Sequence, residues 1–173
     1  VHKGLLELAA LGTIADMMPR EDENVETIQQ GLAEFESSWR PGFRAFFDRD
    51  DFKEMINVDM RISQIISVLN VRDVENGYPA AFRVLNASSQ EDAALLVEKF
   101  LEMNKIGKAR ARELADRVRG VVAQQTIPVV FEGGDDFDYI LLPAVASIMS
   151  NETHKPTFIY TTDEETSIGS VRA

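Results

Sequence analysis

Cysteine is absent from the chain's 173 residues. That excludes disulfides, thiolate zinc sites and cysteine nucleophiles together. Histidine is scarce, with two in the chain, so a protein-built metal site has to rest on carboxylates. No apolar run approaches the ~20 residues that a membrane span needs. The opening Val1-His2-Lys3-Gly4 is not followed by the apolar core and cleavage site of a signal peptide, so a cytoplasmic location is the expectation. There is no internal repeat and no low-complexity segment. What remains is a globular composition, 45% hydrophobic and 27% charged, long enough for one ordinary domain or two small lobes.

Basic residues are outnumbered, 18 against 29 acidic, for a net charge of −11. A uniform surface of that sign repels nucleic acid. The distribution is uneven, however. Residues 1–87 carry 9 basic and 15 acidic side chains, residues 126–173 carry 2 and 8, and residues 88–125 carry 7 and 6. Lys105, Lys108, Arg110, Arg112, Arg117 and Arg119 crowd the middle piece. They read either as a solvated helix face with pairs such as Glu113 to Arg117, or as a local patch that meets a polyanion.

Periodicity lays out the elements. Leu5 to Leu11 is a compact apolar run, expected to be a buried helix that ends before Pro19. Asp22-Glu23-Asn24 can cap a second helix with Val25, Ile28, Leu32 and Phe35 inward. Trp39-Arg40-Pro41-Gly42 reads as a turn, followed by a short helix carrying Phe43, Phe46 and Phe47 into the core. The Met17-Met18 pair is expected in the core too. Asn57 or Asp59 caps a helix with Ile62, Ile65, Ile66 and Leu69 inward. Asn76-Gly77 is a turn, and Pro79 to Leu85 another short helix. Ser88-Ser89-Gln90-Glu91 is a capping box, Ser88 the cap and Glu91 reaching back. A helix about 50 Å long follows, to about Gln124, with Leu96, Phe100, Met103, Ile106 and Ala109 as a continuous stripe.

Beyond that helix the pattern changes. Ile127 to Phe131 is a strand with proline near its start. Gly133-Gly134 and three aspartates form a loop, and the acidic stretch lacks the spacing and liganding glutamate of a calcium loop. Pro143 to Met149 is a short helix, Pro156 to Thr161 a strand, Asp163-Glu164-Glu165 a turn, and Ser167 to Val171 a last strand. His154 reads as a surface histidine. The expected fold class is α/β: a mainly helical lobe over 1–87, a long connecting helix over 88–125, and a small partial α/β lobe over 126–173.

Leu8-Ala9-Ala10-Leu11-Gly12-Thr13-Ile14-Ala15-Asp16-Met17-Met18-Pro19 resembles the ALGTIAD-x-x-P segment of the DHH phosphoesterase family, in particular of its RecJ-like single-strand-specific exonucleases. Further features agree in order. Glu23-Asn24 with Gly31-Leu32 is similar to the ENR…GL helix, and Arg40-Pro41-Gly42-Phe43-Arg44-Ala45 to the RPGLRAL turn. Leu69-Asn70 sits where the family has LNAAGR. Gly169-Ser170-Val171-Arg172 is similar to the GSxR motif of the DHH-associated domain. The resemblance covers nearly the whole chain and implies a C-terminal part of a DHH domain, an interdomain helix, and the start of the associated domain.

The same resemblance implies a pair of Mn²⁺ or Mg²⁺ ions as cofactors and single-stranded DNA or RNA as partner. The family's DxD and DHH motifs do not occur here, so the chain looks like a fragment that is inactive by itself. Of its residues only Asp16 matches a family metal ligand. An aspartate just after a buried helix, beside Gly12 and Thr13, can be held rigidly toward a cleft; the plainer alternative is a turn residue bonded to nearby amides. Ser170 and Arg172 match positions that hold a terminal phosphate, where a guanidinium forks onto phosphate oxygens and Gly169 lets the backbone approach; the alternative is a strand end with a solvated arginine. Lys105, Lys108 and Arg112 would track a strand's backbone.

Several positions depart from the family pattern. Val25 stands where ENR has arginine, and Val74 where LNAAGR has its phosphate-contacting arginine, with Arg72 two residues earlier as a substitute. Gln64, Val68 and Ser67 stand where RLAPRLN has two arginines and a proline, and Asp138-Tyr139-Ile140 aligns with HPG. Lost cationic positions weaken the grip on a polyanion. They leave open two alternatives to a nuclease: a RecJ-like scaffold that contacts replication proteins of the GINS type, or a hydrolase of oligonucleotides or small phosphoesters.

Overall fold

The computed structural model describes residues 3–35, 37–124, 127–163 and 165–173. They divide into two compact units, the first running to Asn104 and the second beginning at Lys105.

In the first unit a 3-10 turn, Lys3–Leu5, leads into α1, Leu6–Ala15. Its tightest packing is on α2, Asp22–Phe35. Gly31 explains how close these helices come: a Cβ there would collide with Ala10 Cβ and lie 2.5 Å from the Leu6 carbonyl oxygen. The expected turn at 39–42 is instead the entry to α3, Pro41–Phe47, with proline in the first turn, where its missing N–H costs nothing. A short helix that the apolar pattern did not announce, α4 (Asp50–Lys53), buries Phe52. Phe35, Phe43, Phe46 and Phe52 form the aromatic heart of the lobe, with Phe35 and Phe43 edge to face at 4.8 Å.

Asn57 caps α5 (Val58–Leu69), its Oδ1 accepting from the N–H of Asp59 at 2.8 Å. Ile62, Ile65, Val68 and Leu69 face inward. Asn76 and Gly77 both adopt left-handed backbone, φ 54° and 80°, the geometry of a two-residue hairpin turn. They join two minimal strands, β1 (Val74–Glu75) and β2 (Tyr78–Pro79), and α6 (Ala80–Leu85) follows at once.

The helix α7 spans Gln90–Val122 and contributes to both units. Its cap lies one residue later than the sequence suggests. Ser89, not Ser88, accepts from the Asp92 N–H at 3.1 Å and donates to Asp92 Oδ2 at 2.7 Å. The box therefore closes on Asp92 rather than Glu91, because the helix starts at Gln90. The apolar stripe is also interrupted. Ala93, Val97 and Phe100 are buried in the first unit and Ala111, Leu114, Ala115, Val118 and Val122 in the second, while Ile106 and Ala109 are exposed.

The second unit has strands β3 (Val130–Gly134), β4 (Thr157–Thr162) and β5 (Ser167–Arg172) in that spatial order. Between β3 and β4 runs α8, Leu142–Thr153. The β3–β4 pair is parallel, as a helical crossover requires, and β4–β5 is antiparallel. β3 begins later than expected, so Ile127 lies outside it and Gly133-Gly134 are strand, not loop. Gly133 sits under the ring of Tyr160, 2.7 Å from where its Cβ would be, which is why two glycines persist in a strand. Val130, Ile159, Leu142, Val145, Ala146 and Met149 form the core with the second half of α7. Asp163 closes the β4–β5 turn by accepting from the N–H groups of Glu165 and Thr166; Glu164 of that expected turn lies outside the described residues. No helix of the described residues is long and apolar enough to cross a membrane.

Candidate functional site

Asp16 follows the last residue of α1. Its backbone N–H donates to the Gly12 carbonyl at 2.9 Å, and the chain then turns through Met17 in left-handed backbone, φ 52°. The carboxylate is exposed, and among the described residues nothing hydrogen-bonds to it. The rigid support expected from Thr13 does not form, because that hydroxyl donates to the Ala9 carbonyl at 2.8 Å, back-bonding its own helix. Met17 is 88% exposed and Met18 about half exposed, so the methionine pair is not core. The turn that ends α1 lifts both out of the helix face that packs on α2. Asp16 is thus presented to solvent next to two exposed methionines.

Ser170 and Arg172 are brought together. Strand alternation puts both on the sheet face toward α8, paired across the ladder with the buried Ile159 and Thr157. The Arg172 Nε donates to Ser147 Oγ at 3.2 Å, and its Nη1 donates to the Val171 carbonyl at 2.7 Å and toward Ser170 Oγ at 3.5 Å. Ser147 in turn donates to the Pro143 carbonyl at 2.9 Å. The guanidinium is therefore anchored on one edge, and its Nη2 has no partner among the described residues. That is a fork held at its base with a free tine, a geometry suited to an oxyanion. Ser147 carries no motif in the sequence; its one local signal is its position one turn after Pro143. Gly169 is placed differently from the expectation. It faces Tyr160 on the opposite side of the sheet, its missing Cβ 3.2 Å from Tyr160 Cβ, so its lack of a side chain serves the sheet there.

The basic stretch of α7 splits into two sets. Arg110 pairs with Asp138 at 3.1 Å, Arg117 with Asp136 at 2.8 Å, and Arg119 with Glu152 at 2.8 Å and with Asp116. Arg117 also lies over the Phe137 ring at 5.4 Å. The acidic loop after β3 stays exposed to solvent and also supplies the counter-charge of the helix, and Arg117 is bound to Asp136 rather than to Glu113. Lys105, Lys108 and Arg112 are spaced by three and four residues along one exposed face. Desolvation, and then the neighbouring Arg112, hold the Lys108 ammonium below the usual lysine range. Arg72 is exposed in the segment between α5 and β1, two residues before the exposed Val74.

Among the described residues no three of His, Asp or Glu sit together so as to hold a metal ion. One exposed carboxylate suits a terminal ligand, but it does not build a two-ion centre, which needs bridging groups as well. The donor set of this chain therefore does not fit an ion pair by itself.

No protein-family profile matches the chain. It is 30% identical, over 178 residues, to the single-stranded-DNA-specific exonuclease RecJ of Bacillus subtilis (strain 168), an overlap that takes in 98% of this chain and 22% of the relative. The fold is similar to that of RecJ from Thermus thermophilus in complex with Mg²⁺, with a TM-score of 0.83 at 21% identity over 99% of this chain and 27% of that one. An exonuclease RecJ bound to manganese gives a TM-score of 0.74 at 22% identity, over 99% of this chain and 43% of that one. The chain is RecJ-like in sequence and in fold, and it spans about a fifth of the length of the curated relative, 22%.

Proposed function

We propose that this chain is a working segment of a RecJ-like exonuclease that acts on single-stranded DNA. The curated relative is named for that activity, and the solved structures of similar fold are complexes with Mg²⁺ or Mn²⁺. The observation that carries the reading is the cluster of Arg172, Ser170 and Ser147, an anchored guanidinium with donors to spare. In this reading Arg172 and Ser170 hold a phosphate of the strand, with the backbone at Gly169 beside it. Lys105, Lys108 and Arg112 attract the following phosphates, and Arg72 meets the strand near the hairpin. Asp16 gives one carboxylate to a divalent ion whose other ligands come from outside this chain. When bound, such ions activate a water and neutralise the leaving oxygen.

The test uses the longer protein that carries this segment, supplied with Mn²⁺. Single-stranded oligonucleotides with and without a terminal phosphate are digested by the wild type and by Asp16→Ala and Arg172→Ala. Loss of cleavage in Asp16→Ala is expected. Arg172→Ala should lose preference for the phosphorylated end by about 10-fold or more, the size of a charge-assisted hydrogen bond. Unchanged cleavage in the first variant removes Asp16 from the metal site, and an unchanged preference in the second removes Arg172 from phosphate binding.

A further inference from the structure

The hairpin of the first unit carries a surface that this function leaves unused. Its tight turn at Asn76-Gly77 sends Tyr78 back over the first turn of α6. There the ring stacks on Phe82, with centroids 4.7 Å apart and planes at 13°. Neither ring is covered: Tyr78 is 52% exposed and Phe82 47%. With Leu95 and Leu96 of α7 they floor an open groove of about 480 Å³, a volume that accommodates a base and its sugar.

The rim of the groove is polar, and its charged lining residues Glu75, Arg83 and Asp92 sum to a single negative charge. Asn86 donates its amide N–H to the Phe82 carbonyl at 2.9 Å, which leaves its Oδ1 as a fixed acceptor. The Asn76 amide and the Tyr78 hydroxyl have no partner among the described residues. The charged groups at one end neutralise each other. Arg83 pairs with Asp73 at 2.6 Å and with Glu75, and Lys99 pairs with Asp73 at 2.9 Å. Asp92 is engaged by Ser89 at the start of α7.

A saturated side chain would use the floor and waste the amides. An anionic group would find no net counter-charge. A flat, uncharged heteroaromatic ring with donors and acceptors on its edge uses both floor and rim. A second aromatic surface, Phe131, Phe158 and Tyr160 on one sheet face, has no such amides in its lining.

We propose that this groove takes an unpaired nucleobase, stacked on Tyr78 and hydrogen-bonded along its edge by Asn76 and Asn86. The inference rests on the reading of the chain as part of an enzyme for single strands. It adds to that reading a point where the strand is gripped by a base rather than by a phosphate. Stacking of this kind is tolerant of sequence, because every base has a π face.

The test is a binding titration of the longer protein, without catalytic metal, against two fluorescent strands of equal length. One carries bases throughout and the other is abasic with the same phosphates. Tyr78→Ala should weaken the first about 5- to 100-fold and leave the second unchanged. Tyr78→Phe should retain most of the affinity, and Leu95→Glu, at an exposed position that does not endanger folding, should weaken the base-bearing strand as well. Equal losses on both strands, or none on either, overturn the base site while leaving the nuclease reading standing. A wild type that binds neither strand overturns both.

Discussion

The Nε of Arg40 donates to Glu7 Oε1 at 2.7 Å, and its Nη2 donates to the Gly4 carbonyl at 2.8 Å. Glu7 is 3% exposed, on the first turn of α1, while Arg40 precedes Pro41 at the entry to α3. Trp39 lies against the guanidinium at 4.9 Å. One side chain thus ties the start of the chain's first helix to the start of its third, and so fixes the helix whose far end presents Asp16.

Breaking this pair from one side strands a buried carboxylate. Arg40→Met should cost about 3 to 5 kcal/mol. The double variant Glu7→Leu, Arg40→Met should recover much of that loss, since neither charge is then left buried alone. Urea unfolding of the two variants beside the wild type measures both. A single variant as stable as the wild type would show that the pair is solvated in solution.

Gly31→Ala sets two effects against each other. A helical alanine gains about 1 kcal/mol over glycine. The new methyl, however, meets Ala10 and the Leu6 carbonyl, and one of those is backbone that cannot swing away. Overpacking of this kind costs about 1 to 3 kcal/mol, so a net fall in the unfolding midpoint is expected. A raised midpoint would mean that α1 and α2 separate freely.

Ser147→Ala removes the acceptor for the Arg172 Nε. The guanidinium keeps its charge but loses its fixed orientation. In the longer protein KM for a strand with a terminal phosphate should rise several-fold, with kcat little changed, because the loss is one of ground-state positioning. A fall in kcat at constant KM would place Arg172 in the transition state instead.

Acid unfolding should have a component from Asp73. The hydrogen bond from Lys99, and after it that from Arg83, hold this carboxyl below its ordinary value. A depressed carboxylate pKa contributes stability that is fully present above the unfolded value, about 3.9. That contribution is lost as pH falls through the folded value. Asp73→Asn should therefore be less stable than the wild type at pH 7, and the gap should shrink below about pH 4. A gap that persists at about pH 2, well under the unfolded value, would assign the difference to packing.

Much of the fold can be read from local pattern. Asn57 as a cap, the Asn76-Gly77 turn, the long helix and the strand–helix–strand–strand order all follow from residues within a few positions of each other. Local rules also locate their own errors. Two serines and two acids close together at 88–92 leave the capping register undecided by one residue, and only the helix's true start selects Ser89 and Asp92.

What no local rule supplies is the partner of a charge or the side of a surface. The basic residues of α7 look alike in sequence. The approach of the acidic loop decides that Arg110 and Arg117 are neutralised by aspartates. Ser147 joins Arg172 from 25 residues away, and Met17 and Met18 are apolar yet open to water. The amino-acid order by itself determined the helices, the strands and the motif residues, because propensity, capping and periodicity act over one or two turns. Only the tertiary structure decided which charges meet and which apolar groups stay exposed, because electrostatic pairing and burial depend on what the rest of the chain brings alongside.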